Sequence, residues 1–256
     1  MAVDESILEH IHRGESQPTL RLYSWDPPCL SLGHAQSFAD VDMERVEANG
    51  WEVVRRLTGG RAILHTDELT YSVTGSTEEP ALAGGILESY NRIAQALLFA
   101  VRELGLPVEM KEEEVRHASS MTQPNPICFE VPSTYEITVN EKKLIGSAQA
   151  RRKEGVLQHG SLPLIGDLTR ICQALVFKDE AAREVAAQRL LTRATTVQSV
   201  IGVETDWETA AQAFVHGFEA QLGINFQRGE MSRSESERAD ELVKEKYAHP
   251  SWTERS

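Results

Sequence analysis

Apolar positions near the amino terminus recur at helical spacing. Val3, Ile7, Leu8 and Ile11 share one face of VDESILEHIH, which predicts a first helix. The pattern then shifts to short strand-like runs, with TLRLYSW and CLSLGHA split by the Asp-Pro-Pro turn at 26–28. A short helix, DVDMERVEANG, closes at Gly50, and the strands VVRRLT, RAILHT and LTYSVTG follow it. LESYNRIAQALLFAVRELG (87–105) predicts a long helix ended by Gly105. HASSMTQPNPI (117–127) is polar and proline-bearing, hence a loop, and CFEV, TYEITV, KLIGSAQ and GVLQHGSLPLI read as strands. DLTRICQALVF and WETAAQAFVHGFEAQLG read as helices, the second with Thr205-x-x-Glu208 as a capping box. INFQ reads as a final strand, and Ser232-x-x-Glu235 opens a last helix. Strands arrive in neighbouring runs rather than alternating with helices, and no linker or repeat divides the chain. This predicts a single α+β domain over 1–256, with mixed, largely antiparallel sheets flanked by helices.

Composition narrows the function classes. At 41% hydrophobic and 25% charged, the 256-residue chain can bury a sizeable core. No apolar run nears the ~20 residues of a membrane span. MAVDESILEH carries acids where a secretory leader has a basic region, so a cytoplasmic protein without a membrane partner is expected. A formal charge of −13 argues against nucleic acid as a partner. The basic residues nevertheless cluster in two acid-free tracts, RRLTGGR and KKLIGSAQARRK (142–153). Those tracts suit either an anionic partner or solvated strand edges. Cys29, Cys128 and Cys172 give neither a disulfide framework nor a CxxC zinc pattern, so no metal is expected.

P-loop, dinucleotide-binding, HExxH and GxSxG signatures are all missing from the sequence. RRLTGGRAILH (55–65) admits two readings: a Gly-Gly hairpin turn, or bare backbone against which a ligand lies. GSAQARRKEGVLQHGSLPL (146–164) repeats the theme, with small residues followed by His159 and Gly160. Cys172 shares a helical stripe with Leu168, Ile171, Leu175 and Val176, and Cys29 sits in an apolar strand, so both are expected in the core. Cys128 follows the proline-bearing loop and is the candidate nucleophile. A thiol with a free pKa near ~8.5 needs a cationic neighbour to ionise at neutral pH, and Lys143, His65 and His159 are the candidates.

R-R-x-T-G-G-R-A-I-L-H-x-x-x-L-T-Y-S, K-L-I-G-S-A-Q and L-Q-H-G-S together resemble the lipoate-protein ligase and octanoyltransferase family. CFEVPSTYE, with Cys128 fifteen positions before Lys143, is most similar to its LipM-type octanoyltransferase branch. The resemblance implies a biotin/lipoate protein ligase-like catalytic domain without an accessory domain. It implies transfer of octanoyl from octanoyl-acyl carrier protein, through a cysteine thioester, to a lysine of a lipoyl domain such as the glycine-cleavage H protein. No cofactor is implied, and a monomer is expected. Carried over by position, Cys128 is the acyl nucleophile and Lys143 lowers its pKa. Arg56, Thr58, Gly59, Gly60 and His65 line the substrate cleft, and Ser147, Ala148, His159 and Gly160 complete it. Family members carry a strand ahead of the first helix, whereas this sequence begins inside that helix. The alternatives are an ATP-dependent lipoate-protein ligase catalytic domain and an octanoyl amidotransferase between lipoyl domains.

Overall fold

A computed structural model describes residues 1–111 and 136–255. Helix α1 (Ala2–His12) precedes strands β1 (Thr19–Tyr23) and β2 (Cys29–Leu32). A short helix α2 (Met43–Ala48) leads to β3 (Glu52–Arg55), β4 (Ile63–His65) and β5 (Glu68–Gly75). After α3 (Ile86–Glu103) come β6 (Glu109–Lys111), β7 (Glu136–Val139), β8 (Lys142–Arg152) and β9 (Gly155–Pro163). The carboxyl-terminal part is helical: α4 (Glu180–Arg193), α5 (Val197–Ile201), α6 (Trp207–Leu222), α7 (Arg233–Leu242) and α8 (Pro250–Thr253).

Two sheets form. The larger has the order β1-β5-β9-β8-β7-β6, and every neighbouring pair in it is antiparallel. The smaller has the order β3-β2-β4, with β3 parallel and β4 antiparallel to β2. This matches the mixed, largely antiparallel α+β expectation. Strand alternation gives the larger sheet two different faces. Leu69, Tyr71 and Val73 point into a core with Ile93 and Leu97 of α3 and Phe214 and Phe218 of α6. Glu68, Thr70 and Ser72 point the other way, toward the smaller sheet. Helix α1 lies on that second face, where Leu8 meets Leu57 and Leu157. Its predicted apolar stripe is buried at Ile7, Leu8 and Ile11, but the polar Asp4, Ser6 and His10 are buried as well. Asp4 accounts for this: it ion-pairs Arg21 of β1 and accepts from Ser72 Oγ at 2.7 Å, which pins the helix to the sheet.

Several local expectations change. Residues 224–227 form no strand, and Phe226 instead packs its side chain against the core of the larger sheet. Helix α6 is capped by Asp206, whose carboxylate accepts from Thr209 N at 2.7 Å, rather than by Thr205. Residues 168–173 wind as a 3-10 helix; Cys172 is buried as expected, but Val176 is 53% exposed and leaves the stripe. Helices α4 and α5, not expected from the sequence pattern, start at the Asp179 and Thr196 caps. The Ser232 to Glu235 capping box forms as predicted. Cys128 and the strand CFEV lie outside the described residues.

Candidate active site

The connection after β3 is not a hairpin, because β3 and β4 are not neighbours: both pair with β2, on opposite sides. Residues 56–62 therefore carry the chain across the carboxyl end of β2, and Gly33 lies directly beneath. A Cβ on Gly33 would stand 1.9 Å from the Gly60 carbonyl oxygen, so only bare backbone fits there. Gly60 itself has φ +89, which favours glycine. His34 N donates to Thr58 O at 2.8 Å and fixes the same approach.

The turn is braced from inside by Arg56. Its Nη2 donates to Gly59 O at 2.9 Å and Arg61 O at 2.7 Å, while Nη1 donates to Ser31 O at 2.8 Å and Ser31 Oγ at 3.1 Å. Five donors in a rigid fork suit a guanidinium to this task.

Between the two sheets lies a pocket with roughly 350 Å³ of empty space, lined by residues that include Arg56, His65, Ser147, Ala148, His159 and Gly160. Six of the expected cleft residues thus come together here, from three strands and a turn. Thr58 stands behind them, its Oγ1 2.6 Å from His159 Nε2. Gly160 sits opposite Ser147 and Tyr71 in the register, and a Cβ on it would be 2.4 Å from Gly146 O. The Ser147 hydroxyl is held on the helical face of the sheet, accepting from Tyr71 Oη at 2.7 Å. Lys143 is the second residue of β8, the strand that carries Gly146 to Ala148; it is buried, and its carbonyl accepts from Thr195 N at 3.1 Å.

Tyr23, Trp25, Ser31 and Thr70 also line the pocket, and the sequence reading passed over all four. Trp25, Ser31 and Thr70 belong to one network around His65, and Tyr23 meets Trp25 at 5.8 Å between ring centroids. His65 Nδ1 is 2.5 Å from Glu68 Oε1, and His65 Nε2 is 2.7 Å from Ser31 Oγ. The carboxylate accepts from Nδ1–H, which leaves Nε2 to accept the Ser31 hydroxyl proton. Trp25 stacks on the imidazole at 4.3 Å between centroids, and its Nε1 donates to Thr70 Oγ1 at 2.9 Å. Thr70 in turn donates to Glu68. The His-x-x-Glu spacing was the one sequence signal for this pair, since i and i+3 meet across the tight turn between β4 and β5.

His159 is held neutral. Burial, and then the charge of Arg56, push its pKa down to about 3. The folded pKa lies below the unfolded value near 6.5, so the unfolded chain takes up a proton first as the pH falls. Any contribution of His159 to acid sensitivity is therefore nil above about pH 6.5 and grows as the pH drops from there toward about 3. His159→Gln, which keeps a hydrogen-bonding partner for Thr58 but does not titrate, is expected to flatten the stability profile in that window. Denaturant melts at a series of pH values check it.

The basic tracts do not form an outward docking face. Arg55, Arg56 and Lys143 are buried. Arg151 reaches back to the loop before α3, donating to Ser89 Oγ at 2.8 Å and to Leu82 O. Only Arg152 and Lys153 of the second tract are exposed. Net charge along a sequence does not reveal which cations a fold spends on carbonyl oxygens.

The family model for the lipoyl protein ligase A/B catalytic domain matches residues 1–219. The chain belongs to this family. Curated relatives place it among the LipM octanoyltransferases. The octanoyltransferase LipM of Carboxydothermus hydrogenoformans is 39% identical over 98% of the chain and 92% of its own length. That of Moorella thermoacetica is 39% identical over 100% of the chain and 93% of its own length. Among solved structures, a bipartite lipoate protein ligase from Thermoplasma acidophilum superposes with a TM-score of 0.81 at 26% identity, covering 99% of this chain and 89% of that one. A lipoate-protein ligase A bound with ATP gives a TM-score of 0.76 at 26% identity, covering 99% and 92%. Membership carries octanoyl transfer in lipoate biosynthesis, an acyltransferase reaction. The biotin/lipoate ligase-like fold expected from the motifs is the fold observed.

Proposed function

We propose that the chain takes octanoyl from octanoyl-acyl carrier protein onto Cys128 as a thioester and passes it to a lysine of a lipoyl domain, the glycine-cleavage H protein among them. Carrying this reading is the joining of Arg56, His65, His159 and Gly160 in one pocket beside β8, the strand that holds Lys143. Such a pocket gives an acyl chain walls and leaves main-chain groups near its carbonyl. The first step exchanges one thioester for another and is nearly balanced. The second converts a thioester to an amide and runs downhill, so no nucleotide is required. Lys143 is assigned to stabilising the Cys128 thiolate, because a nearby ammonium favours the charged form of a thiol. The enzyme is assigned to the cytoplasm as a monomeric, single catalytic domain; no helix among the described residues is long and apolar enough to cross a membrane.

Intact-mass spectrometry tests the reading. Purified protein given octanoyl-carrier protein, with no nucleotide, is expected to gain one octanoyl group and to lose it when a lipoyl domain is added. The likeness to an ATP-bound lipoate-protein ligase A supports a second reading, adenylation of free octanoate. Modification of the lipoyl domain only when free octanoate and ATP are both supplied would establish that alternative.

A further inference from the structure

Arg55 and Arg56 are adjacent, yet their guanidinium groups work in different places. Arg56 braces the Gly-Gly turn from the pocket side. Arg55 is fully buried and serves six main-chain carbonyls from two remote segments. Its Nη1 donates to Gly33 O at 2.9 Å, to His34 O at 3.3 Å and to Gln36 O. Nε and Nη2 donate to Trp252 O at 3.0 Å, Thr253 O at 2.9 Å and Arg255 O at 2.8 Å. The return contacts close the knot: Trp252 Nε1 donates to Arg55 O at 2.9 Å, and Arg255 Nη2 donates to His34 O at 2.7 Å.

A buried cation satisfied by carbonyls alone is a costly way to hold a fold together. Apolar residues of similar volume often do as well or better, so stability by itself is a weak reason for such a group. What a guanidinium adds is fixed geometry between the segments it joins. One of them, 33–36, is the loop whose Gly33 lies under the Gly60 carbonyl and whose His34 holds Thr58. Thr58 in turn holds His159 in the pocket.

We infer that Arg55 is a positioning residue for the acyl pocket, coupling the 252–255 segment through the 33–36 loop to the Gly-Gly wall. The coupling stands on the geometry; its bearing on octanoyl binding rests on the proposed function. Arg55 touches no substrate in this scheme. It sets where Thr58, Gly59 and Gly60 stand, so its loss is read first in donor binding.

Two full-length variants test this: Arg55→Lys, which offers three donors in place of five, and Arg255→Ala, which removes the side-chain donor from the 252–255 segment to His34 O. Amide hydrogen exchange by mass spectrometry is followed in 33–36, in 58–61 and in β5 and β9, beside steady-state kinetics with octanoyl-carrier protein. In both variants the 33–36 and 58–61 amides are expected to exchange at least about tenfold faster while β5 and β9 stay protected. The donor KM is expected to rise about tenfold, with kcat changed by less than about twofold. Unchanged exchange in 33–36 and 58–61, or faster exchange spread evenly through β5 and β9, would overturn the coupling. Locally faster exchange with an unchanged donor KM would uphold the coupling and instead overturn the assignment of this pocket to the acyl chain.

Discussion

Cys128→Ala is expected to abolish both the octanoyl adduct and octanoyl transfer, lowering the rate by about a thousandfold or more, as removal of a covalent nucleophile does. Cys29→Ala and Cys172→Ala are expected to keep both. The contrast has a physical basis in the two thiols that cannot serve. Cys29 is on β2 and 5% exposed; burial, with the Glu52 carboxylate beyond it, pushes its thiol up to about 12. A thiol in that state supplies almost no thiolate at neutral pH. Cys172 is 1% exposed and packed with Leu175 and Leu190. Intact mass after incubation with octanoyl-carrier protein reads all three variants at once, and transfer by the Cys128→Ala protein would sink the thioester route.

The second large effect lies in the turn. Gly33→Ala is expected to destabilise the fold by ~3 kcal/mol or more, because the new Cβ would strike the Gly60 carbonyl, a backbone atom that cannot swing aside. At about 2–4 °C per kcal/mol for a chain of this size, the melting temperature should fall by roughly 6–12 °C. Gly59→Ala is the informative partner. Nothing lies within 4 Å of a Cβ there, so stability should change by less than about 0.5 kcal/mol. If the acyl or pantetheine chain lies against this backbone, the donor KM nevertheless rises. Thermal melts and donor kinetics on both variants separate a glycine kept for the fold from one kept for the substrate. An unchanged KM in Gly59→Ala would remove that residue from the substrate wall.

The strands and helices with a clear period were legible because each carries its own pattern: alternation in LTYSVTG, a 3.6-residue repeat in α3. The cleft was legible for a different reason, since glycines and histidines in short ordered segments identify a family. What stayed hidden was set by pairing. Trp25 reaches Thr70, and Ser31 reaches His65, only after β2, β4 and β5 have taken their places, and no local signal announces a partner 34 or 45 residues away. Charge misled in the basic tracts because composition counts cations without their direction. Arg55 and Arg56 both turn inward to carbonyls, which is neither the anionic partner nor the solvated strand edge that the tracts suit. The expected strand at 224–227 failed because a strand is a property of a pair, and among the described residues it pairs with none.

The pocket walls come from a turn near residue 58, from β4 and β5, and from strands that end at Pro163, and Arg55 waits further, for carbonyls at 252–255. Contacts so distant along the chain form late. On the ribosome, the first half of the protein has no pocket wall from β8 and β9 to close around an acyl chain. Octanoyl transfer is thus a property of a chain in which β8 and β9 are already in place, and shorter emerging lengths have no closed pocket to offer.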